Sequence, residues 1–152
     1  MEKRKGAFSR LFGFARRAPI TYQTFRFRKK ETPDRLKLKG AISRALAIYL
    51  RDHAEYFLSF DKVIVYYDNG QAEITDVLNT LFNAFFFNVD VCKVVPSDYR
   101  LFQVADLCCT LELLKAKVDD QTSLSKSELV FFRSRRSLKK DYLDKLEPKR
   151  RK

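Results

Sequence analysis

Two aspartates in otherwise apolar stretches are the residues of this chain best suited to chemistry. Asp68 closes an apolar run of strand length. Asp106 interrupts residues 101–117, whose apolar side chains recur at helical spacing and cover most of the circumference, which predicts a helix buried on nearly all sides. Gln103 and Thr110 lie three residues before and four residues after Asp106, so the polar groups form one narrow line along the predicted helix. Because an ionised carboxylate is costly to remove from water without a cation or several donors, we expect a partner for Asp106.

One hypothesis is that this partner is a divalent metal ion, Mg²⁺ or Mn²⁺, which Asp68 and Asp106 share. Metal ions held by carboxylates stabilise the attacking and leaving oxygens in phosphoryl transfer, so the pair would suit a nuclease. The alternative for Asp106 is an aspartate inside a helix, held by Lys, Arg or backbone donors. Asp68 also has an alternative role, because it or Asn69 could cap the helix that follows.

The charge of the chain is concentrated at its two ends. The 152 residues are 45% hydrophobic and 14% aromatic, which indicates one domain with a substantial core, and their net charge is +12. Residues 1–30 carry 10 Lys and Arg against 1 acid, residues 31–120 carry 10 against 14, and residues 121–152 carry 11 against 4. This distribution suits a protein that holds a polyanion, such as nucleic acid, beside an acidic centre that binds cations. The alternative is that the basic ends serve only solubility. The final residues, PKRRK, are expected to form a solvated tail.

Several classes of protein are excluded by the composition. No apolar run approaches the roughly 18 residues of a membrane span, and no signal-peptide core is found, so we expect a cytoplasmic protein. The three cysteines lack zinc-site spacing and are expected to be reduced core residues. The single histidine, His53, falls on an apolar helical face and is expected to be a hydrogen-bonded structural residue, which argues against a Ser-His-Asp or Cys-His nucleophile.

The hydrophobic pattern predicts an α/β fold. The dipeptide Asn69-Gly70 suits a hairpin turn, but helical spacing resumes beyond it, which favours strand, turn, helix and a parallel crossover. Asp68 would then lie at the carboxyl edge of the sheet, where open α/β sheets bind ligands. The first predicted element is a basic amphipathic helix over 2–17. Such a helix could lie on a membrane or resemble a transit peptide, but Pro19 and a strand follow at once, which favours packing on a core. The elements that follow are a basic strand over 20–30, a helix ending near 58, a strand over 62–68 covered on both faces, a helix, a strand over 88–95, and the helix that carries Asp106, with Ser97 or Asp98 as its cap.

Beyond residue 120 the chain becomes polar and basic. Ser125 and Glu128 form a capping box that opens a short helix, and a last helix carries Leu138, Tyr142 and Leu146 on one seam. These basic residues form either a phosphate-binding surface or the charged face of a packed helix. The candidate nucleic-acid-binding residues are Arg26 and Arg28 of the predicted strand, and Arg133, Arg135, Arg136, Lys139 and Lys140.

Two motifs carry a family resemblance. Residues 66–71 read YYDNGQ and residues 94–107 read VVPSDYRLFQVADL, and with further similar stretches near both ends they resemble the bacterial domain of unknown function 3800 family. The resemblance implies a ribonuclease H-like mixed sheet flanked by helices, and a nuclease that depends on Mg²⁺ or Mn²⁺. It implies Asp68 and Asp106 as catalytic and metal-binding residues, with Asn69, Gln71 and Gln103 in support.

The chain departs from that family at its start. Family members begin with a hairpin that supplies the principal metal-binding aspartate, and this sequence has no counterpart of it. The resemblance therefore implies an incomplete ribonuclease H-like core over residues 1–120 and a basic helical extension over 121–152. Such a core would leave a sheet position open for a missing N-terminal segment or a partner strand. The three functions to weigh are a metal-dependent nuclease, a non-catalytic nucleic-acid-binding module, and an interaction module completed by a partner.

Overall fold

The chain forms a mixed α/β structure that is mostly helical. The computed structural model describes residues 2–69 and 72–152. Its helices and strands, in chain order, are α1 (Glu2–Arg17), α2 (Arg35–Asp52), α3 (Ala54–Leu58), β1 (Val63–Asp68), α4 (Ala72–Phe85), β2 (Val89–Val94), α5 (Arg100–Asp119), α6 (Lys126–Phe132), α7 (Arg135–Leu138) and α8 (Asp144–Leu146). A π-helical turn, Lys139–Leu143, joins α7 to α8.

The chain divides into two compact units that interleave along the sequence. Residues 1–24 and 99–152 form the first, which we term the helical unit. Residues 25–98 form the second, which we term the sheet unit. The division predicted from the sequence, at residue 120, follows chain order and so differs from this one.

The core of the helical unit confirms the predicted role of α1. Phe12 and Ala15 are buried, and Phe8 and Leu11 pack at the edge of the same cluster. The other buried members of this core are Val104, Leu107, Cys108, Leu111, Leu114, Leu124, Phe132, Leu138, Leu143 and Leu146. Packing on a core, rather than lying on a membrane, is therefore what the apolar face of α1 does. None of the described helices has the length and apolar content needed to cross a bilayer.

Helix starts in both units follow local side-chain chemistry. The Ser125 N–H donates to Glu128 Oε2 at 2.7 Å and the Glu128 N–H donates to Ser125 Oγ at 3.2 Å, so the predicted capping box is confirmed. Asp34 caps α2 by accepting from the Lys37 N–H at 2.8 Å. Helix α5 begins after Tyr99, which makes no capping side-chain bond, so the prediction that Ser97 or Asp98 caps it is wrong.

The predicted helix ending near residue 58 is interrupted once. His53 leaves the helical region, with φ −115° and ψ 19°, and separates α2 from α3. Its Nδ1 lies 2.9 Å from the Tyr49 carbonyl oxygen, and its ring lies 4.4 Å from the Tyr49 ring. The prediction of a hydrogen-bonded histidine is confirmed, although the side chain is half-buried rather than part of the core.

The sheet unit confirms the predicted parallel crossover. Strands β1 and β2 pair in parallel with Val63 opposite Val89, and α4 connects them. One face of this sheet packs on a core formed by Leu50 of α2, Phe82 of α4 and Phe86, the residue that follows α4. Gly70 of the predicted turn lies outside the described residues.

The opposite face of the sheet is less covered than the sequence predicted. Ile64 and Tyr66 alternate with the packed residues of β1 and are 48% and 46% exposed. The prediction of a strand covered on both faces is therefore wrong. A continuous apolar run does not distinguish a strand with two covered faces from a strand with one.

The basic strand predicted over residues 20–30 does not form. This segment contains one parallel bridge, in which the Tyr22 N–H donates to the Lys149 carbonyl at 3.0 Å and the Arg151 N–H donates to the Tyr22 carbonyl at 2.9 Å. Alternating side chains make a strand only where a neighbouring strand bonds the backbone along its length. In the described residues the sheet has two parallel strands, and the ribonuclease H-like mixed sheet stays a prediction.

Candidate functional site

Asp106 lies on the exposed side of α5. Gln103 and Thr110 share this side, so the polar line predicted from the sequence is present at the surface. Leu101 and Leu113 are also exposed, at 58% and 64%, which shows that α5 is not buried all round. The buried face consists of Val104, Leu107, Cys108, Leu111, Glu112 and Leu114. The expectation that burial forces a partner on Asp106 is therefore wrong, because an exposed carboxylate is hydrated.

The two predicted metal ligands belong to different units. Asp68 is half-buried at the end of β1 in the sheet unit, whereas Asp106 is in the helical unit. The Asn69 N–H donates to the Val94 carbonyl at 3.0 Å and so extends the β1–β2 ladder, and Gln71 lies outside the described residues. Across residues 2–69 and 72–152, no three His, Cys, Asp or Glu side chains are placed to share a metal ion. The Mg²⁺ or Mn²⁺ site stays a prediction.

The buried carboxylate of α5 is Glu112, six residues beyond Asp106. Its side chain is 10% exposed and forms an ion pair with the Arg150 guanidinium. Arg150 also donates to Glu147 Oε1 at 3.0 Å and lies 5.1 Å from the Tyr22 ring centre. The physical expectation of a cation beside a buried carboxylate is thus met, but at a residue that the sequence reasoning missed.

The prediction of a solvated C-terminal tail is wrong for residues 149–151. Lys149 Nζ donates to the Ala18 carbonyl at 2.6 Å, and the Arg150 side chain, which is 19% exposed, forms an ion pair with Glu112. Burial raises the pKa of Tyr22 to about 12, against the opposing effect of the nearby Arg150 cation.

The sequence contains one signal for the burial of Glu112. This residue follows Val104 and Cys108, two core residues of α5, at intervals of four, and so lies on the same face of the helix.

The basic residues predicted to bind nucleic acid are divided between the units. Arg26 and Arg28 are exposed in the sheet unit, on a segment without strand structure. Arg135 is half-buried, and its guanidinium donates to the Thr122 carbonyl, which gives it a structural role. The exposed members in the helical unit are Arg133, Arg136, Lys139 and Lys140.

A cleft of about 540 Å³ in the helical unit, which we term the basic cleft, brings together residues far apart in sequence. Lys5 and Arg16 of α1 line it together with Arg133 and Lys145. Asp141 is the acidic residue among its lining side chains. Within the described part of the chain, none of the four cations pairs with a carboxylate, so the cleft keeps its positive charge.

Aromatic rings form one wall of the basic cleft. The Tyr142 ring centre lies 5.0 Å from that of Phe12 and 5.2 Å from that of Phe132. Phe12 and Phe132 are buried, whereas Tyr142 and Phe131 are half-buried and border the open space. Lys5 Nζ lies 5.8 Å from the Phe131 ring centre, within the range of a cation–π contact. The cleft therefore offers positive charge and aromatic surface side by side.

Comparison with protein-family models, curated proteins and solved structures finds no match to this chain. The resemblance to the domain of unknown function 3800 family stays a prediction from the motifs that carry it.

Proposed function

We propose that the helical unit binds nucleic acid and that the basic cleft is the contact surface. The observation that carries this proposal is the combination, in one cleft, of four cations without carboxylate partners in the described residues and a wall of aromatic rings. Phosphates are attracted to Lys and Arg, and bases pack on aromatic rings. Nucleic acid supplies both of the groups that this surface complements.

The distribution of charge between the units supports the same proposal. The helical unit contains 20 Lys and Arg against 9 Asp and Glu, whereas the sheet unit contains 11 against 10. Nearly all of the net charge of +12 is therefore carried by the unit that contains the basic cleft. A concentrated positive field of this kind raises the rate and affinity with which a polyanion binds.

An anionic membrane is a weaker candidate for the polyanion. A basic amphipathic helix binds a membrane surface by inserting its apolar face between the lipids. In α1 that face is occupied, since Phe12 and Ala15 are buried in the core of the helical unit and Phe8 packs against them. We therefore commit to nucleic acid, and anionic vesicles serve as a comparison.

The test is fluorescence anisotropy of the full chain with labelled oligonucleotides of about 20 nucleotides, across roughly 50–300 mM NaCl. Two variants with the same change in charge are compared by their affinity and its salt dependence. The cleft variant replaces Lys5, Arg16 and Lys145 with Gln, and the control variant replaces Arg136, Lys139 and Lys140 with Gln. Far-UV circular dichroism checks that both variants are folded.

We expect the cleft variant to lose about tenfold or more in affinity and to show a log–log salt slope shallower by roughly 2 to 3, one phosphate contact being worth about 0.7–0.9. The control variant should lose several-fold less. Equal losses in both variants would show that the basic cleft is not the contact surface. Absence of salt-sensitive binding, or binding to anionic vesicles alone, would overturn the proposed function.

The same samples test the predictions that the protein uses Mg²⁺ or Mn²⁺ and that it cleaves nucleic acid. Mg²⁺ or Mn²⁺ is added, and the oligonucleotides are examined for cleavage on a denaturing gel. Cleavage that Asp68→Asn and Asp106→Asn both abolish would extend the proposal to a metal-dependent nuclease, whereas intact substrate would limit it to binding. A cytoplasmic location belongs to this proposal as well, since the three cysteines are free thiols.

A second candidate function is favoured by one observation in the sheet unit. Parallel sheets are normally covered on both faces, yet Ile64 and Tyr66 leave this one apolar and half-exposed. We propose that a second copy of the chain covers this face. The interaction module predicted from the sequence is different, because it takes a partner strand at an open edge of the sheet, and it stays a prediction. The test is whether polar substitution of the face changes self-association without changing stability.

A further inference from the structure

Arg133, at the rim of the basic cleft, has an unusual backbone conformation. Its φ is 69° and its ψ is −46°, and the Ser134 N–H donates to the Phe132 carbonyl at 2.9 Å, which closes a γ-turn around it. A side chain at positive φ meets steric conflict that glycine avoids. An arginine is therefore held in a strained position where glycine would be easier to accommodate, and such strain is concentrated at functional sites.

A second departure from regular backbone lies beneath the same cleft. In the π-helical turn Lys139–Leu143, the Asp144 N–H donates to the Lys139 carbonyl five residues earlier. A π-turn inserts one extra residue into a helix, and such turns are frequent at functional sites.

The π-turn determines which side chain faces the cleft. In a regular helix Leu138, Tyr142 and Leu146 would share one seam, as the sequence predicts. In the structure Leu143 is instead buried with Leu138 and Leu146, at a spacing of five residues and then three. Tyr142 is displaced from the core seam to the wall of the basic cleft, where it is half-buried. The extra residue thus places Leu143 in the core, at the position that regular helical spacing gives to Tyr142. Tyr142 borders the open space of the cleft instead.

We infer that the basic cleft takes one unpaired nucleotide, with its base packed on Tyr142 and its phosphate at Arg133. This inference rests on the proposed function and names the nucleic acid as single-stranded. The cleft volume of about 540 Å³ suits a group of this size, since small-molecule sites span roughly 300–1,000 Å³. In a duplex each base is stacked and paired and must be flipped out at a cost, so a base enters such a cleft more easily from a single strand, a loop or an end.

The remaining lining groups suit the edge of a base. The hydroxyls of Ser9 and Ser137 and the carboxylate of Asp141 line the same cleft. A hydroxyl both donates and accepts hydrogen bonds, and a carboxylate accepts from ring or amino N–H groups. Asp141 would discourage a second phosphate inside the cleft, which leaves the interior to the uncharged base and the rim to the phosphate.

The experiment compares three ligands of equal length on the full chain at about 150 mM NaCl. They are a single strand, the corresponding duplex, and a fully abasic single strand, which keeps its phosphates and lacks every base. Tyr142→Leu removes the ring, and Tyr142→Phe is the matched control that keeps it. The chain contains no Trp, so quenching of Tyr emission on binding provides an independent readout.

We expect the single strand to bind about tenfold more tightly than the duplex, and Tyr142→Leu to remove about that factor for the single strand. Tyr142→Phe should bind as the wild type does. Neither substitution should alter binding of the abasic strand, because no base is left to pack. The abasic comparison uses the unaltered protein and stays decisive if Tyr142→Leu does not fold.

Arg133 is tested by two substitutions that separate strain from contact. Arg133→Gln and Arg133→Gly should weaken binding of the single strand by a similar factor, whereas Arg133→Gly should melt at a higher temperature than Arg133→Gln because glycine relieves the positive φ.

Equal affinity for the single strand, the duplex and the abasic strand would overturn the inference and leave the proposed function standing. Unchanged binding after both Arg133 substitutions would remove the phosphate assignment. Absence of salt-sensitive binding to every ligand would overturn the proposed function itself.

Discussion

Glu112 and Arg150 show what a buried carboxylate requires. Glu112 lies on the packed face of α5 and meets a guanidinium from the C-terminal residues. Asp106, on the other side of the same helix, is exposed and hydrated. The principle that predicted a partner for Asp106 is sound, but the sequence does not say which face of a helix turns inward when apolar residues occur on both faces.

Breaking this ion pair from either side should destabilise the helical unit. The side chains of Glu112 and Arg150 are 10% and 19% exposed, so loss of this ion pair would leave a charge in a poorly hydrated position. We expect Arg150→Met to cost about 3 kcal/mol in free energy of unfolding. Glu112→Leu should cost less, because Glu147 still pairs with Arg150.

The double variant Glu112→Leu/Arg150→Met should recover most of that loss, since no buried charge is left. Urea unfolding followed by far-UV circular dichroism measures all four proteins of this cycle. Additive losses in the double variant would show that the two side chains do not depend on each other.

At the scale of elements, local patterns predicted most of the helices and both strands. Helix α1, the strands β1 and β2, helix α5 and the capping box of α6 are confirmed within a few residues. Each depends on the spacing of apolar residues or on side chains three residues apart. The prediction of a strand over residues 20–30 was wrong because a strand needs a neighbouring strand to bond its backbone, and the residues of the segment itself do not show whether one is present.

The basic cleft was beyond the reach of the sequence for a similar reason. Its walls come from α1 and from residues 131–145. Each segment is amphipathic, but nothing in the sequence indicates that the two pack against each other. The exchange of Tyr142 for Leu143 depends on a π-turn, which regular helical spacing does not anticipate. The γ-turn at Arg133 could not be predicted either, because its positive φ occurs at an arginine and not at a glycine.

The start of α6 gives a prediction for the effect of pH. Hydrogen bonds from Lys117, at 2.6 Å, and from the Ser125 backbone lower the pKa of Glu128. A carboxyl whose folded pKa lies below its unfolded value, about 4.3, gives full stability above that value. This stability is lost as the pH falls through the folded pKa. The melting temperature of the wild type should therefore fall on acidification in this range.

Glu128→Gln should melt below the wild type at pH 7 and should show a smaller fall on acidification. Glutamine keeps the acceptor of the capping box but carries no charge for Lys117. Asp106→Asn is the matched control, an exposed acid that should change stability by less than about 0.5 kcal/mol. Thermal melts of the three proteins between about pH 3 and 7 make the comparison. Parallel curves for the wild type and Glu128→Gln would contradict it.

At the scale of the whole molecule, the two units present different surfaces. The helical unit concentrates positive charge around the basic cleft, whereas the sheet unit is almost neutral and exposes apolar residues on its two-stranded sheet. Charge attracts polyanions over a distance, and an apolar sheet face associates only on contact. The two surfaces should therefore respond to different substitutions.

Ile64→Thr on the sheet face should reduce self-association while leaving oligonucleotide affinity within about twofold. Threonine keeps the branched side chain that strands favour and removes apolar area from a residue that is 48% exposed. The variant with Lys5, Arg16 and Lys145 replaced by Gln should do the reverse, with weaker oligonucleotide binding and unchanged self-association. Light scattering during size exclusion measures the mass of each protein across a range of concentrations, and anisotropy measures binding. If Ile64→Thr lowers oligonucleotide affinity as strongly as the cleft variant does, the two surfaces act as one, and the division of roles between the units is wrong.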